Sequence, residues 1–362
     1  MTLEWAEATM GMFHLQLNVL AHIFKSHYGS ETDRWSLSRM IKLLSYDANK
    51  FWNKTERLVK DFNRCFDFFN LVLDGCILAA VFRLCPIDIG SILQPERLIA
   101  AVTDLSHELS DYSAVSSMRC REGQDRDVGE ENLLLFVQEG LMLRHLSLAI
   151  HQGDSGRVIN ALSYFTVWFQ GTGAHNYGAE TLRLTACLRK LWSPRLKTFW
   201  MENGCLVNIS RKREAFVALD CLNEYIVREV KNMVANVVTP QTDHHLRNVL
   251  SLLVLIFWDI RKKMSEEMDI YISDYHSSKV EHRTESRLVR DYILCSRLMR
   301  RGGDRDSLPS ARDLEVKDAF MSGLHELAKT QRIVNLQRSL WENCRDMIMD
   351  EIDNSHSPSD GE

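Results

Sequence analysis

Two carboxylates one helical turn apart, Asp220 and Glu224, are the side chains in this sequence whose type and spacing most directly suggest chemistry. On a helix the i,i+4 interval puts both on one face, where they could jointly hold a divalent cation such as Mg2+ through oxygen ligands, as nucleases do. The competing reading is structural: Glu224 pairs with Arg228 one turn on, and Asp220 lies on a solvated face. Asp154 and Arg157, within Gly153-Asp154-Ser155-Gly156-Arg157, form a second candidate. A glycine-flanked acid beside an arginine could bind phosphate or complete a metal site. No strand precedes the pattern and no G-K-[ST] follows it, so it is not a phosphate loop, and helix capping by Asp154 or Ser155 stands beside the binding reading.

A third candidate is a run of charge. Arg183, Arg189, Lys190, Arg195, Lys197, Arg211, Lys212 and Arg213 supply eight positive charges between residues 183 and 213, against Glu202 alone, with Trp192, Phe199 and Trp200 among them. Cations interleaved with aromatic planes can neutralise phosphates and stack on bases, which makes DNA or RNA a candidate partner. A solvated basic face over a buried aromatic core is the plainer alternative. Residues 342–362 carry seven acids and one arginine and could cover that face or keep the chain soluble.

Other chemistries find little support. His244 and His245 are adjacent and point to different helix faces, and His14 and His22 lie two turns apart with no acidic partner at ligand spacing. The nine cysteines are odd in number, scattered and set among apolar positions, as reduced buried thiols are, and no C-x-x-C pair occurs. With no secretory pattern at the N-terminus, an intracellular location, nuclear or cytoplasmic, is expected. The longest apolar run, Val249 to Trp258 broken only by Ser251, is too short to cross a bilayer, so no membrane partner is expected. Nor is there a G-x-S-x-G elbow or a Cys-His nucleophile context.

These side chains must be positioned by helices. Of 362 residues only six are proline and 17 glycine, while 45% are hydrophobic and the formal net charge is -5, so global charge gives no reason to expect nucleic acid. Apolar residues recur every three or four positions through Met12–Tyr28, Trp35–Leu44, a long run from Leu58 to Leu84, one helix within Ile87–Leu109, and Leu133–Ile150. Asp154 or Ser155 starts the next helix and Gly171-Thr172-Gly173 stops it; Tyr177, Thr181, Leu184 and Leu188 then mark a helix that returns along it. Pro194 opens a short helix that Asn203-Gly204 ends, and further helices follow from Phe216 to Val230, Leu246 to Tyr275, Arg287 to Arg300 and Ala311 to about Ile348. The expected fold class is all-α, an irregular multi-helix bundle without a fixed repeat. Its expected division is an N-terminal subdomain over 1–112, a polar loop or linker over 113–131, a central core over 132–300, a charged break over 301–310, a C-terminal helix over 311–350 and a disordered acidic tail over 351–362.

Leu143–Ile150 followed by GDSGRV, the W-F-x-G-T-G turn from Trp168 to Gly173, Tyr177, Leu191-Trp192, LDCLNEY and the earlier MGMFHLQLNVL together resemble a fungal family, the domain of unknown function numbered 6589 common in mushroom-forming fungi. The resemblance covers roughly residues 13–264 and is most specific at Gly153–Tyr177, where Gly153, Asp154, Ser155, Gly156, Arg157, Gly171, Gly173 and Tyr177 form its structural motif. It implies transposon descent: longer members carry an upstream half with acidic motifs, and an acid on a late helix such as Asp220 or Glu224 would suit the third ligand of a ribonuclease-H-like site with a helical insertion. The resemblance implies that this chain starts after that half, so no cofactor and no activity are expected of it alone; Mg2+ enters only under the nuclease alternative. Three functions remain open: a non-catalytic transposase-derived module binding nucleic acid or a partner protein, the C-terminal part of a metal-dependent transposase or nuclease, and a helical protein-interaction scaffold.

Overall fold

The computed structural model describes residues 9–84, 95–120, 126–235, 282–296, 298 and 314–329, and within them the protein is all-α. The helices are α1 (Met12–His27), α2 (Leu37–Leu43), α3 (Phe62–Leu84), α4 (Pro95–Ser110), α5 (Ala114–Arg119), α6 (Val128–Gln152), α7 (Ser155–Thr172), α8 (His175–Ala186), α9 (Pro194–Phe199), α10 (Leu219–Ala235), α11 (Arg283–Cys295) and α12 (Ala319–Lys329). Two antiparallel ladders of two residues each accompany them, β1 (Trp52–Asn53) with β2 (Leu58–Val59) and β3 (Leu206–Val207) with β4 (Val217–Ala218). The helix expected over Leu246–Tyr275, His244, His245, Cys85, Cys344, the 301–310 break and the acidic tail lie outside the described residues.

Around α6 the core is assembled. That helix buries Leu133, Phe136, Val137, Leu143, Leu146 and Ile150, positions that span about half of its circumference, and α1, α3 and α7 pack against it. Both α3 and α6 are long and apolar enough, by length and composition, to cross a bilayer, although neither is an unbroken apolar run. In the fold more than half of each apolar stretch is buried inside protein.

Polar anchors fix the centre. Glu139 of α6 is buried and accepts hydrogen bonds from Trp168 Nε1 of α7 at 2.9 Å and from His27 Nε2 of α1 at 3.0 Å. Because a buried donor left without a partner costs about 1–3 kcal/mol, this one carboxylate locks three helices in register. A single hydrophobic cluster runs from Met12 on α1 to Ala319 on α12, so α11 and α12 complete the same core as the earlier helices.

The structure departs from the expected elements where Phe216–Ala218 and Leu314–Asp318 are not helical, so that α10 and α12 begin at Leu219 and Ala319, and at two further places. Leu58 and Val59 belong to β2, not to the start of the long helix, because Asn53 Oδ1 accepts the amides of Thr55 and Glu56 and folds the preceding residues into a hairpin turn. Within the segment expected to be a polar loop, α5 forms from residue 114, and α6 begins at Val128 behind the Asp127 N-cap. The reason is long-range: Val115 packs with Leu135 and Val316, and Arg119 and Arg126, which pair with buried Glu131 nearby, also reach Glu315. A charged sequence that lacks apolar periodicity is thus held by a salt-bridge network rather than by a hydrophobic stripe.

Candidate nucleic-acid interface

The Gly153–Tyr177 motif turns out to be a packing device. Gly153 closes α6 in the left-handed conformation at φ 72°, and a Cβ there would stand 2.7 Å from the Phe216 ring. Asp154 caps α7 by accepting the Arg157 amide at 2.9 Å and also holds the Arg157 side chain, contacts that lower its pKa, the backbone bond most. Arg157 reaches Gln152 as well. Ser155 is the first residue of α7, and Gly156 follows it. Gly173 ends the helix at φ 79°, and Tyr177 stacks on Phe169 with ring centres 5.4 Å apart while its hydroxyl accepts from Asn18 of α1 at 2.6 Å.

Gly171 carries the closest approach of all. A Cβ there would meet the Ala319 carbonyl oxygen at 1.7 Å, and a Cβ at Gly323 would meet the Val167 carbonyl oxygen at 1.9 Å, so α7 and α12 cross backbone to backbone. No large side chain fits between them. Six of the eight motif residues, Ser155 and Gly156 being the others, therefore serve capping, turning or close packing, and the Asp154–Arg157 pair is committed to its own helix start.

The carboxylate pair of α10 is placed against α1. Asp220 accepts the Phe13 amide at 3.0 Å, the His14 amide at 2.9 Å and the His14 Nδ1 group at 2.9 Å, which satisfies the orphan donors of a helix whose own N-cap, Gly11, offers no side-chain oxygen. Gly11 has to be small here, because a Cβ would lie 2.0 Å from Asp220 Oδ2. Glu224 approaches the other ring nitrogen of His14 at 3.7 Å, with its side chain 55% exposed against 17% for Asp220. The two acids thus clasp one imidazole between them. Among the described residues no group of three His, Cys, Asp or Glu side chains is arranged to hold a metal ion. The seven described cysteines are free, and burial raises the thiol pKa of Cys65, Cys76 and Cys205, the last to about 12, which removes them as nucleophiles.

The basic run falls on a succession of short elements. A π-helical turn over Cys187–Leu191 carries Arg189 and Lys190, α9 carries Arg195 and Lys197, a second π-helical turn over Trp200–Gly204 packs on both α9 and β3, and the β3–β4 hairpin carries Arg211, Lys212 and Arg213 at its tip. The seven cations consequently lie on neighbouring elements of one arm. Ser193 caps α9 by accepting the Leu196 amide, with Pro194 in the first helical position where its missing N–H costs nothing.

Most of these charges face solvent without an acid. Among the described residues Lys190, Arg195, Lys197, Arg211 and Lys212 have no carboxylate within ion-pair distance, while Arg213 has only Glu214 at 4.0 Å. Arg189 is tied back to Ser163 of α7 at 2.8 Å, and Arg183, further up the run, pairs with Glu180. At the tip, Arg211 and Glu214 take the left-handed backbone conformation, and Asn208 donates to the Lys212 carbonyl, so the turn is held by its own hydrogen bonds. Of the three aromatics, Trp200 is buried, Trp192 is half-buried against it with ring centres 6.3 Å apart, and Phe199 is 59% exposed. Leu196 and Ile209 are exposed nearby, a mixture of apolar and basic surface that counting charges does not reveal.

Fold and site together define a helical protein with a locked core and a cationic arm, and without an assembled catalytic constellation among the described residues. The chain belongs to a family of unknown function, DUF6589, whose sequence profile matches residues 1–276. No curated protein and no solved structure matches it. Residues 282–296 and 314–329, beyond the match, nonetheless supply the helices that seal α3 and α7.

Proposed function

We propose that the chain is a non-catalytic helical module, of the transposase-like descent its resemblance implies, that binds nucleic acid through residues 187–213. The observation that carries this reading is the arm: among the described residues Lys190, Arg195, Lys197, Arg211 and Lys212 are without acidic partners, alongside Arg213 and the open face of Phe199. Solvated cations on a preorganised arm release condensed counterions when they meet phosphates, and an exposed ring can stack on a base. A nuclease role has no comparable support, since both oxygens of Asp220 are engaged with α1. The exposed Leu196, Phe199 and Ile209 give a second reading some weight, an acidic protein partner gripped by the same arm.

The test is binding of the purified chain to labelled single- and double-stranded DNA and RNA at 50 and 200 mM salt, with Arg211→Glu, Lys212→Glu and Arg213→Glu combined as the control. If six cations contact phosphates, affinity falls by about a thousandfold between the two conditions, and the charge-reversed chain does not bind. Absence of binding even at low salt overturns the nucleic-acid reading and leaves the protein partner in front.

A further inference from the structure

Whether the arm takes a duplex or a single strand turns on one side chain. Phe199 is 59% exposed, while every other phenylalanine and every tryptophan among the described residues is buried or half-buried. The other exposed aromatic ring, Tyr225 at 39%, has the Arg228 guanidinium over it at 5.0 Å. Among the described residues no ring stacks on Phe199 and no cation covers it, and it takes no part in the hydrophobic core that Trp192 and Trp200 join. An apolar plane is thus held in water without serving the packing of the fold.

The charges around it are placed for a phosphate. Arg195 precedes Phe199 by four residues on α9, so the two side chains share a face, and the ring leans toward the turn of Arg195 because helical side chains point back along the helix. Lys197 is on the same helix, Lys190 on the turn before it, and Arg211 and Lys212 between the strands that follow. Glu202, the one acid between residues 183 and 213, reaches none of these cations within ion-pair distance among the described residues. A bare ring beside an unpaired guanidinium matches one nucleotide of an unpaired strand, which offers a free base face with a phosphate next to it. In a duplex each base is covered by its stacked neighbours, and the ring has nothing to stack on.

Resting on the nucleic-acid reading above, we infer that the arm selects single strands, DNA or RNA, and that Phe199 makes the selection by stacking on an unpaired base while Arg195 holds the adjoining phosphate. Charge alone favours the opposite outcome. A duplex has the higher charge density, and each neutralised phosphate releases about 0.9 counterion from it against about 0.7 from a single strand. A preference for single strands therefore reads the stacking contact and not the cations. One such contact is large enough to decide, since removing a stacking ring lowers affinity roughly tenfold. Every base has a π-face, so the selection is for unpaired bases and not for a sequence.

Fluorescence anisotropy of the full chain with labelled oligothymidylate, oligouridylate and a blunt DNA duplex of the same length, at two salt concentrations, tests this. At least one of the single strands binds about tenfold tighter than the duplex. Phe199→Ala removes that preference and leaves the salt dependence unchanged, because no charge is lost. Phe199→Trp keeps the preference, and Phe199→Leu, apolar but without a plane, loses it as the alanine variant does. The ring lies outside the core, so the melting temperature of each variant stays at that of the parent. Arg195→Gln weakens single-strand binding and lowers the salt slope by about 0.7. Duplex binding as tight as single-strand binding, or an undiminished preference in Phe199→Ala, overturns this inference while the nucleic-acid reading stands. Full single-strand preference in Phe199→Leu also overturns it, by showing an apolar contact in place of stacking. No binding of any probe at the lower salt concentration overturns both.

Discussion

The stretch Gly153–Tyr177 and the arm Cys187–Glu214 lie a few residues apart and are built on opposite terms. In the first, nearly every distinctive residue is engaged: Gly171 admits the α12 backbone, Trp168 feeds Glu139, Asp154 caps α7 and Tyr177 reaches Asn18. In the second, five of the seven cations have no acidic partner among the described residues, and a phenylalanine is left open. A distinctive sequence pattern here marks where backbones must touch, whereas the surface available to a partner carries no motif beyond its charge. Chemical-looking residues such as Asp154 and Asp220 belong with the first kind, because each satisfies helix-end amides.

If that contrast is right, substitutions in the two regions separate stability from binding. The largest effect is expected at Gly171→Ala, which drives a methyl group into the Ala319 carbonyl and lowers unfolding free energy by about 3 kcal/mol in urea titrations. A loss below 1 kcal/mol would show that α7 and α12 slide apart easily and that the glycine contact is dispensable. Next comes Glu139→Leu, which strands the Trp168 and His27 donors and costs about 2–4 kcal/mol by the same measurement.

Asp220→Ala should cost about 1–2 kcal/mol through the lost cap on α1. Adding Mg2+ should leave the melting temperature of the parent and of this variant unchanged. A Mg2+-dependent rise in the parent that Asp220→Ala removes would transfer Asp220 from the packing region to the chemistry of a cation site, and the contrast would break there.

His22 sharpens the contrast through pH. It lies edge-on to Trp168 and Phe169, and burial first, then Lys25, lowers its pKa to about 4 from 6.5. The unfolded chain therefore takes up the proton first as pH falls, so the stability tied to neutral His22 is present above pH 6.5 and lost progressively between 6.5 and 4. After allowance for partial exposure the loss amounts to roughly 2 kcal/mol. His22→Asn should flatten that part of the pH profile, and a profile that keeps its slope would place the acid sensitivity elsewhere. The smallest stability change, within about 0.5 kcal/mol, is expected for charge reversal of Arg211, Lys212 and Arg213, the variant expected to abolish nucleic-acid binding.

The all-α class, the Asp154 cap, the Gly173 stop and the Pro194 start were legible in the sequence because local rules decide them: 3.6-residue periodicity, a short side-chain oxygen for orphan amides, a glycine free to take positive φ, a proline suited to a first turn. Charge along residues 183–213 could be read too, since it needs only counting. What only the tertiary structure decided is what each group touches. Asp220 becomes a cap for a helix about 206 residues earlier in the chain, α5 forms because Val115 and Arg119 find distant partners in Val316 and Glu315, and a cavity beside His27 and Trp35 is lined by segments nearly 300 residues apart. Periodicity and capping are properties of neighbours along the chain, while the worth of a buried carboxylate or an unpaired N–H depends on atoms that only folding brings within 3 Å.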